Sequence, residues 1–401
     1  MNILLLMGTL VIIALYTGRL FNKIKFPPIT GYIIVGFILG NFHIFSSVVA
    51  EEFSGIVFYV NTIAISFLLF ETGAELEKSS FKGGKKIIAI AFIQSLITFL
   101  LILVTFIMLF NFPLPISVLI AAIGIPTAPD IVLLTIRNDK ARGRFVEILK
   151  EIVVIDDLIA ELFFFILFPI CKNILEHYQN PVNVIKFSLE EIIVSILLGI
   201  IAGFLFSLFS REFRQHRIPP FAGTIGFIIL TIGVSILIKA HTIIVILIMG
   251  IIFSNTSKNR EVVLNAIMQI DSILFILFLI VNGSALSFEL LKETGLGGVA
   301  FISSRFMGKI LGGITSSKTL QIKEIPPLSL GMSLLPQSTI SIYFASHAKE
   351  LLLTEGETIF AITMSGVIFF EILGAPLLSW TLRRKTHPPA TGGKIATSSP
   401  S

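Results

Sequence analysis

The stretch EIVVIDDLIAEL, residues 151–162, sets three carboxylates, Asp156, Asp157 and Glu161, in a run otherwise dominated by Ile, Val, Leu and Phe. Carboxylates in such surroundings can carry protons, ligate a cation or act as an acid/base pair. Spacing narrows the choice. On a helix of 3.6 residues per turn, Asp156 and Asp157 point about 100° apart, so they cannot share one partner on one face. One can meet a neighbouring helix while the other meets a cavity. Glu161, four residues after Asp157, lies on the Asp157 face. An intramembrane aspartyl protease needs two aspartates on separate helices facing one another, and these diverge.

Bases stand in a second apolar stretch, VAFISSRFMGKILGG, as Arg305 and Lys309, again four apart and on one face. If all five groups lie together, three carboxylates and two bases give −3 + 2 = −1. A proton or a monovalent cation can fill that deficit by turns, which is the physical core of an exchanger. Plain ion pairing is the competing reading for the two bases. Each such charge at a helix centre costs about 2.5–3.5 kcal/mol on the insertion scale, so it marks an ion or proton pathway by default.

Prolines supply another signal. AAIGIPTAPDIVLL carries Pro126 and Pro129, and GMSLLPQSTISIYF carries Pro336, each in the middle of an apolar span. Proline removes a backbone donor and breaks a helix. The freed carbonyls need polar partners or a cavity. Thr127, Asp130, Gln337 and Ser338 offer oxygen or amide groups at these breaks. Matched interruptions in oppositely directed halves are a sequence pointer to a midplane transport site.

The elements that must hold these groups are membrane spans. The chain has 401 residues, 54% hydrophobic and 14% charged, against roughly 25% charged in a soluble domain. Its single cysteine, Cys171, excludes an intramolecular disulfide and a cysteine-based metal cluster. None of the six histidines shows metal-ligand spacing. Thirteen apolar runs are long enough to span: 3–21, 29–48, 55–74, 86–111, 114–136, 145–170, 188–210, 219–238, 240–255, 262–283, 297–314, 326–347 and 357–382. The first lacks a basic leader and cleavage site and is read as a retained helix. The breaks fall in spans 5 and 12, an odd offset, so these run in opposite directions.

The net charge of +5 is read as topology rather than nucleic-acid binding. Alternating from a cytoplasmic loop after span 1 puts 22 Lys and Arg inside, five outside (Lys172, Lys186, Lys239, Lys292, Lys349) and three within spans. The expectation is an outer N-terminus, a cytoplasmic C-terminus, a membrane domain over 1–386 and a disordered tail over 387–401.

PPITGYIIVGFILGN, LLFETGAEL, TAPD, VVIDDLIAEL, RFMGKILGG, LLPQS and FFEILGAPLL occur in the order seen in sodium/proton antiporters. The chain most resembles the bacterial branch of the second monovalent cation/proton antiporter family, from about residue 20 to 382. The resemblance implies an all-α, 13-helix, inverted-repeat fold with two broken crossing helices, acting as a homodimer in the bacterial inner membrane. Helices 1–3 and 8–10 would form the dimer side. Helices 4–6 and 11–13 would form a core that moves as an elevator. It implies Na⁺ and proton binding by Asp157, with Asp156 and Thr127 beside the ion, and transported ions but no cofactor. The position usually held by the family's lysine falls on Arg305, with Lys309 one turn away as a substitute. Arginine does not deprotonate at physiological pH, so Arg305 is expected to hold Asp156 and leave Asp157 to titrate, with Glu161 as an accessory group. The alternatives are potassium/proton exchange and an organic-anion/sodium symporter on a related fold.

Overall fold

The computed structural model describes residues 3–23, 28–41, 47–75, 84–175, 181–214, 218–321 and 325–386. The expected tail 387–401 lies outside these residues, as do several loop cations, among them Lys25, Lys78, Lys82, Arg217 and Lys323. In chain order the described helices are α1 (Ile3–Lys23), α2 (Pro28–Asn41), α3 (Ser47–Glu75), α4 (Gly84–Phe110), α5 (Leu114–Ile123), α6 (Pro129–Asn138), α7 (Arg144–Leu175) and α8 (Pro181–Phe209). There follow α9 (Arg211–Arg214), α10 (Pro220–Leu237), α11 (Thr242–Thr256), α12 (Arg260–Ser284), α13 (Phe288–Leu320), α14 (Pro327–Ser333), α15 (Ile340–Leu351) and α16 (Leu353–Thr386). α4, α10 and the segments 189–213 and 355–383 are each long and apolar enough to cross a membrane alone. Large apolar side chains such as Leu197, Ile201, Phe204 and Leu208 on α8 are about half exposed, as a lipid-facing surface requires.

Two bundles emerge from the packing. α4–α7 pack with α13, α14 and α16, and α15 packs on α16; α1–α3, α8 and α10–α12 form the other group. Phe70 of α3 meets Phe206 of α8 and Phe253 of α11 at 5.6 and 5.7 Å between ring centroids, tying the second bundle together.

In the first bundle α13 packs closely along α4. Gly308 and Gly312, one turn apart, face Thr98 and Gln94 so tightly that a Cβ on either would come within 2.8 Å of the α4 backbone. Small residues at this spacing let membrane helices approach until backbone and side chains interdigitate. α13 starts nine residues before the sequence reading places span 11. Ser287 caps it by accepting a hydrogen bond from the Leu290 amide at 3.0 Å, and Glu289 stands in the first turn. The charges of FELLKETG, read as loop, are a capped helical extension whose acid favours the positive helix end.

Spans 5 and 12 are broken near their centres. α5 ends at Gly124, because proline at 126 disfavours helical backbone at the residue before it; α6 restarts with Pro129 in its first turn. α14 ends at Leu334, ahead of Pro336, and α15 begins after Thr339. Between the breaks, Thr127 and Gln337 form a single antiparallel bridge. The Ala128 amide donates to the Pro336 carbonyl at 3.1 Å and the Ser338 amide to the Pro126 carbonyl at 3.5 Å. The two spans therefore cross as a pair of extended segments with half-helices on either side.

Candidate ion-binding site

The close seat of α13 on α4 brings Lys309 and the Gln94–Ser95 pair to the same level as Asp156 on α7. Asp156 is fully buried. Its Oδ1 accepts hydrogen bonds from Ser95 Oγ at 2.6 Å and from Gln94 Nε2. Its Oδ2 accepts from Thr127 Oγ1 at 2.5 Å and from Lys309 Nζ at 2.8 Å, and Lys309 also donates to Thr127 Oγ1 at 2.9 Å. A buried ion pair offsets its desolvation only when further hydrogen bonds satisfy the remaining lone pairs. Ser95, Gln94 and Thr127 supply these.

The expected partner of Asp156 was Arg305, and the structure corrects this: the ion pair is made by Lys309. Arg305 is also fully buried but turns to the helix breaks. Its Nε donates to the Gly124 carbonyl at 2.9 Å, Nη1 to Leu335 at 2.7 Å and Nη2 to Pro126 at 2.8 Å. The guanidinium lies 4.4 Å from the Phe370 ring centroid. One planar fork thus gathers carbonyls freed from both broken spans, a geometry arginine can supply and the point charge of lysine cannot. The positive group also sits at the carboxyl ends of α5 and α14, where the helix dipoles favour cations. Ser341 Oγ adds a bond to the Ile123 carbonyl at 2.9 Å.

Asp157 looks the other way. It lines a cleft of about 210 Å³ whose walls include Glu71 and Thr72 of α3, Pro129 and Leu133 of α6, Val154 of α7, Phe275 of α12, and Ser338 to Ile340. The space has room for several waters, each occupying about 30 Å³ in the liquid. The amino ends of α6 and α15 border it, and neither has a side-chain cap. The positive ends of these helix dipoles favour negative charge in the cleft. The five charged groups read from the sequence stand within electrostatic reach of one another but do not share one set of hydrogen bonds. They separate into a saturated pair, a backbone clasp, a carboxylate on a cleft wall, and Glu161.

The remaining expected residues are placed as follows. Thr127 touches Asp156 and Lys309 rather than the cleft. Gln337 is buried at the crossing, its Nε2 reaching the Ile123 carbonyl at 3.5 Å. Ser338 borders the cleft, and its Oγ accepts from the Ile340 amide at 3.4 Å. Asp130 is the second residue of α6, and its side chain lies outside the described residues. Pro336 packs under α16, where a Cβ on Gly374 would come 2.7 Å from the Pro336 Cα. Glu161 is fully buried one turn beyond Asp157.

The sequence reading missed Gln94, Ser95 and Glu71. A Gln-Ser pair inside the otherwise apolar AFIQSLITF was the available signal for the first two. Glu71 sat unremarked in LLFETGAEL.

A buried, hydrogen-bonded Asp–Lys pair beside two crossing helix breaks, with a second aspartate on a cleft wall, is a transport geometry. The sequence matches the transmembrane sodium/hydrogen exchanger family over residues 9–384. The chain belongs to that family. The exchanger is thus a multi-pass membrane protein of the cation/proton antiport class, not an enzyme, and works on transported ions without a cofactor. Its fold is similar to the sodium proton antiporter MjNhaP1 from Methanocaldococcus jannaschii. Against the structure of MjNhaP1 at pH 8 the TM-score is 0.67 at 18% identity, covering 94% of this chain and 95% of that one. Against the electron-microscopy structure of MjNhaP1 the TM-score is 0.71 at 17% identity, covering 100% of both. No curated protein sequence matches the exchanger.

Proposed function

We propose that the exchanger swaps Na⁺ for H⁺ across the bacterial inner membrane, with the two ions competing for Asp157. The observation that carries this is the contrast on α7: Asp156 is saturated by four donors, while Asp157 lies on the cleft wall. Burial disfavours a charged carboxylate, whereas a proton or an alkali cation neutralises it. One ligand therefore displaces the other. Na⁺ would sit in the cleft against Asp157, with Ser338, Thr339 and Thr72 as oxygen neighbours. Asp156 and Thr127 would support from behind through Lys309.

With the N-terminus outside, Glu71, Leu133 and Val154 all lie on the cytoplasmic side of the midplane, so the cleft faces the cytoplasm. The bundle containing α4–α7 and α13–α16 would carry the site past the other bundle, and spans 1–3 and 8–10, which are α1–α3 and α10–α12, would form a homodimer contact. The packing of the helices into two groups supports that division. A lysine, unlike an arginine, can release its proton. The pairing of Lys309 with Asp156 therefore reopens a second proton step that an Arg305–Asp156 pair would close.

The test is proton flux in proteoliposomes under Na⁺, Li⁺ and K⁺ gradients, with a clamped membrane potential. Wild type should couple Na⁺ to H⁺, and Asp157→Asn should abolish the coupling. Flux driven by K⁺ alone, or undiminished flux in Asp157→Asn, would overturn the reading.

A further inference from the structure

Glu161 is a buried acid the exchange scheme leaves unused, as is Glu371 of α16, but only Glu161 stands one turn from Asp157. Both of its carboxyl oxygens are sealed from solvent and have no hydrogen-bond partner among the described residues. Its position is informative. The cleft reaches α7 at Val154 and Asp157 and does not include Glu161. Glu161 therefore lies one turn further, toward the closed side.

The same α7 face continues through aromatic rings. Phe164 stacks on Phe344 of α15 with centroids 4.0 Å apart, and Phe168 lies 4.9 Å from the ring of His347. Beyond them is a second cavity of about 140 Å³, lined by Asn61, His241, Tyr343, Ser346, His347 and Glu350. Glu161 thus stands between the ion site and a polar chamber on the far side, with the Phe164–Phe344 stack in between.

An ionised carboxylate with no donor, sealed from water and one turn from Asp157, is far costlier than its neutral acid. No oxygen or amide ligand is bonded to it that could complete a shell for a metal cation. We infer that Glu161 is a second proton-binding site of the exchanger, a relay that takes a proton from or gives one to Asp157 and never holds the cation. This rests on Asp157 being the exchange site. The transfer moves one proton between two carboxyl groups of a single helix face and needs no other reactant. Asp157 is the charged group acting on Glu161 from its own helix; the α15 side facing this stretch of α7 contributes Phe344 and His347.

Infrared spectroscopy of the reconstituted exchanger with ¹³C-carboxyl glutamate tests occupancy directly. Wild type without Na⁺ at neutral pH should show a protonated-carboxyl band that shifts with the label and loses a component in Glu161→Gln, while Glu371→Gln leaves that component in place. In proteoliposomes, Glu161→Gln should slow exchange by roughly tenfold to a hundredfold, up to the low end of what a positioned proton-transfer group contributes. Na⁺ affinity should change by less than about threefold, or 0.7 kcal/mol. Glu161→Asp, which keeps the acid, should recover most of the rate. A labelled band of undiminished intensity in Glu161→Gln, or a Glu161→Gln protein exchanging at the wild-type rate, overturns the inference. Wild type that fails to couple Na⁺ to H⁺ at all would instead sink the reading of Asp157, with the infrared result standing apart from it.

Discussion

Two neighbouring residues of one helix, Asp156 and Asp157, live in opposite surroundings. Asp156 is enclosed by Ser95, Gln94, Thr127 and Lys309, with every contact inside the protein. Asp157 borders the cleft and the uncapped ends of two half-helices. The peptide rotation of about 100° is all that separates them. A carboxylate whose lone pairs are filled by fixed donors is part of the frame. One that is buried yet borders a cleft and helix ends has room to change partners. Identical chemistry thus meets two different surroundings through orientation alone, and the proposed exchange at Asp157 rests on that difference.

Substitutions can break that contrast, the largest effect first. Asp157→Asn should abolish coupled flux while moving the melting temperature in detergent by no more than about 1 kcal/mol of stability, the level of one hydrogen bond. Asp156→Asn should do the reverse to stability, because it strands Lys309. Breaking one partner of a buried pair costs about 3–5 kcal/mol, and the double variant Asp156→Asn/Lys309→Met should regain much of it. A double variant no more stable than the singles would show that the pair is not the frame.

Arg305→Met should come next, at about 2–4 kcal/mol, since leaving a buried carbonyl without a donor costs about 1–3 kcal/mol and Ser338 retains one of the three. Arg305→Lys should restore only part, because an ammonium cannot span three carbonyls in a plane. Thermal unfolding in detergent reads both. Ser95→Ala should be smallest, about 1.5 kcal/mol, as it removes one charge-assisted bond and leaves Asp156 three others. A larger loss for Ser95→Ala than for Asp156→Asn would invert the ranking.

The broken spans were legible from the sequence because proline acts locally: Pro126, Pro129 and Pro336 dictate where a helix must stop whatever packs around it. The divergence of the two aspartates was legible for the same reason, being fixed by helix geometry. The partner of Asp156 was not. Arg305 and Lys309 share a face one turn apart, so local geometry cannot rank them. What decides is the register of α13 on α4, set by Gly308 and Gly312 against Thr98 and Gln94. That is a tertiary fact, carried by the absence of side chains rather than by their chemistry. Glu71 escaped for a related reason: its place on the cleft wall depends on how α3 meets the other bundle.

The clasp at Arg305 has a consequence for how acidity reaches this protein. Its contacts are backbone carbonyls, which do not titrate, and a guanidinium that stays charged across the physiological range. The joint between the interrupted helices is therefore chemically deaf to the proton the antiporter carries. A change in cytoplasmic acidity can alter the occupancy of the carboxyls beside the joint without loosening the hinge pin that keeps them in place.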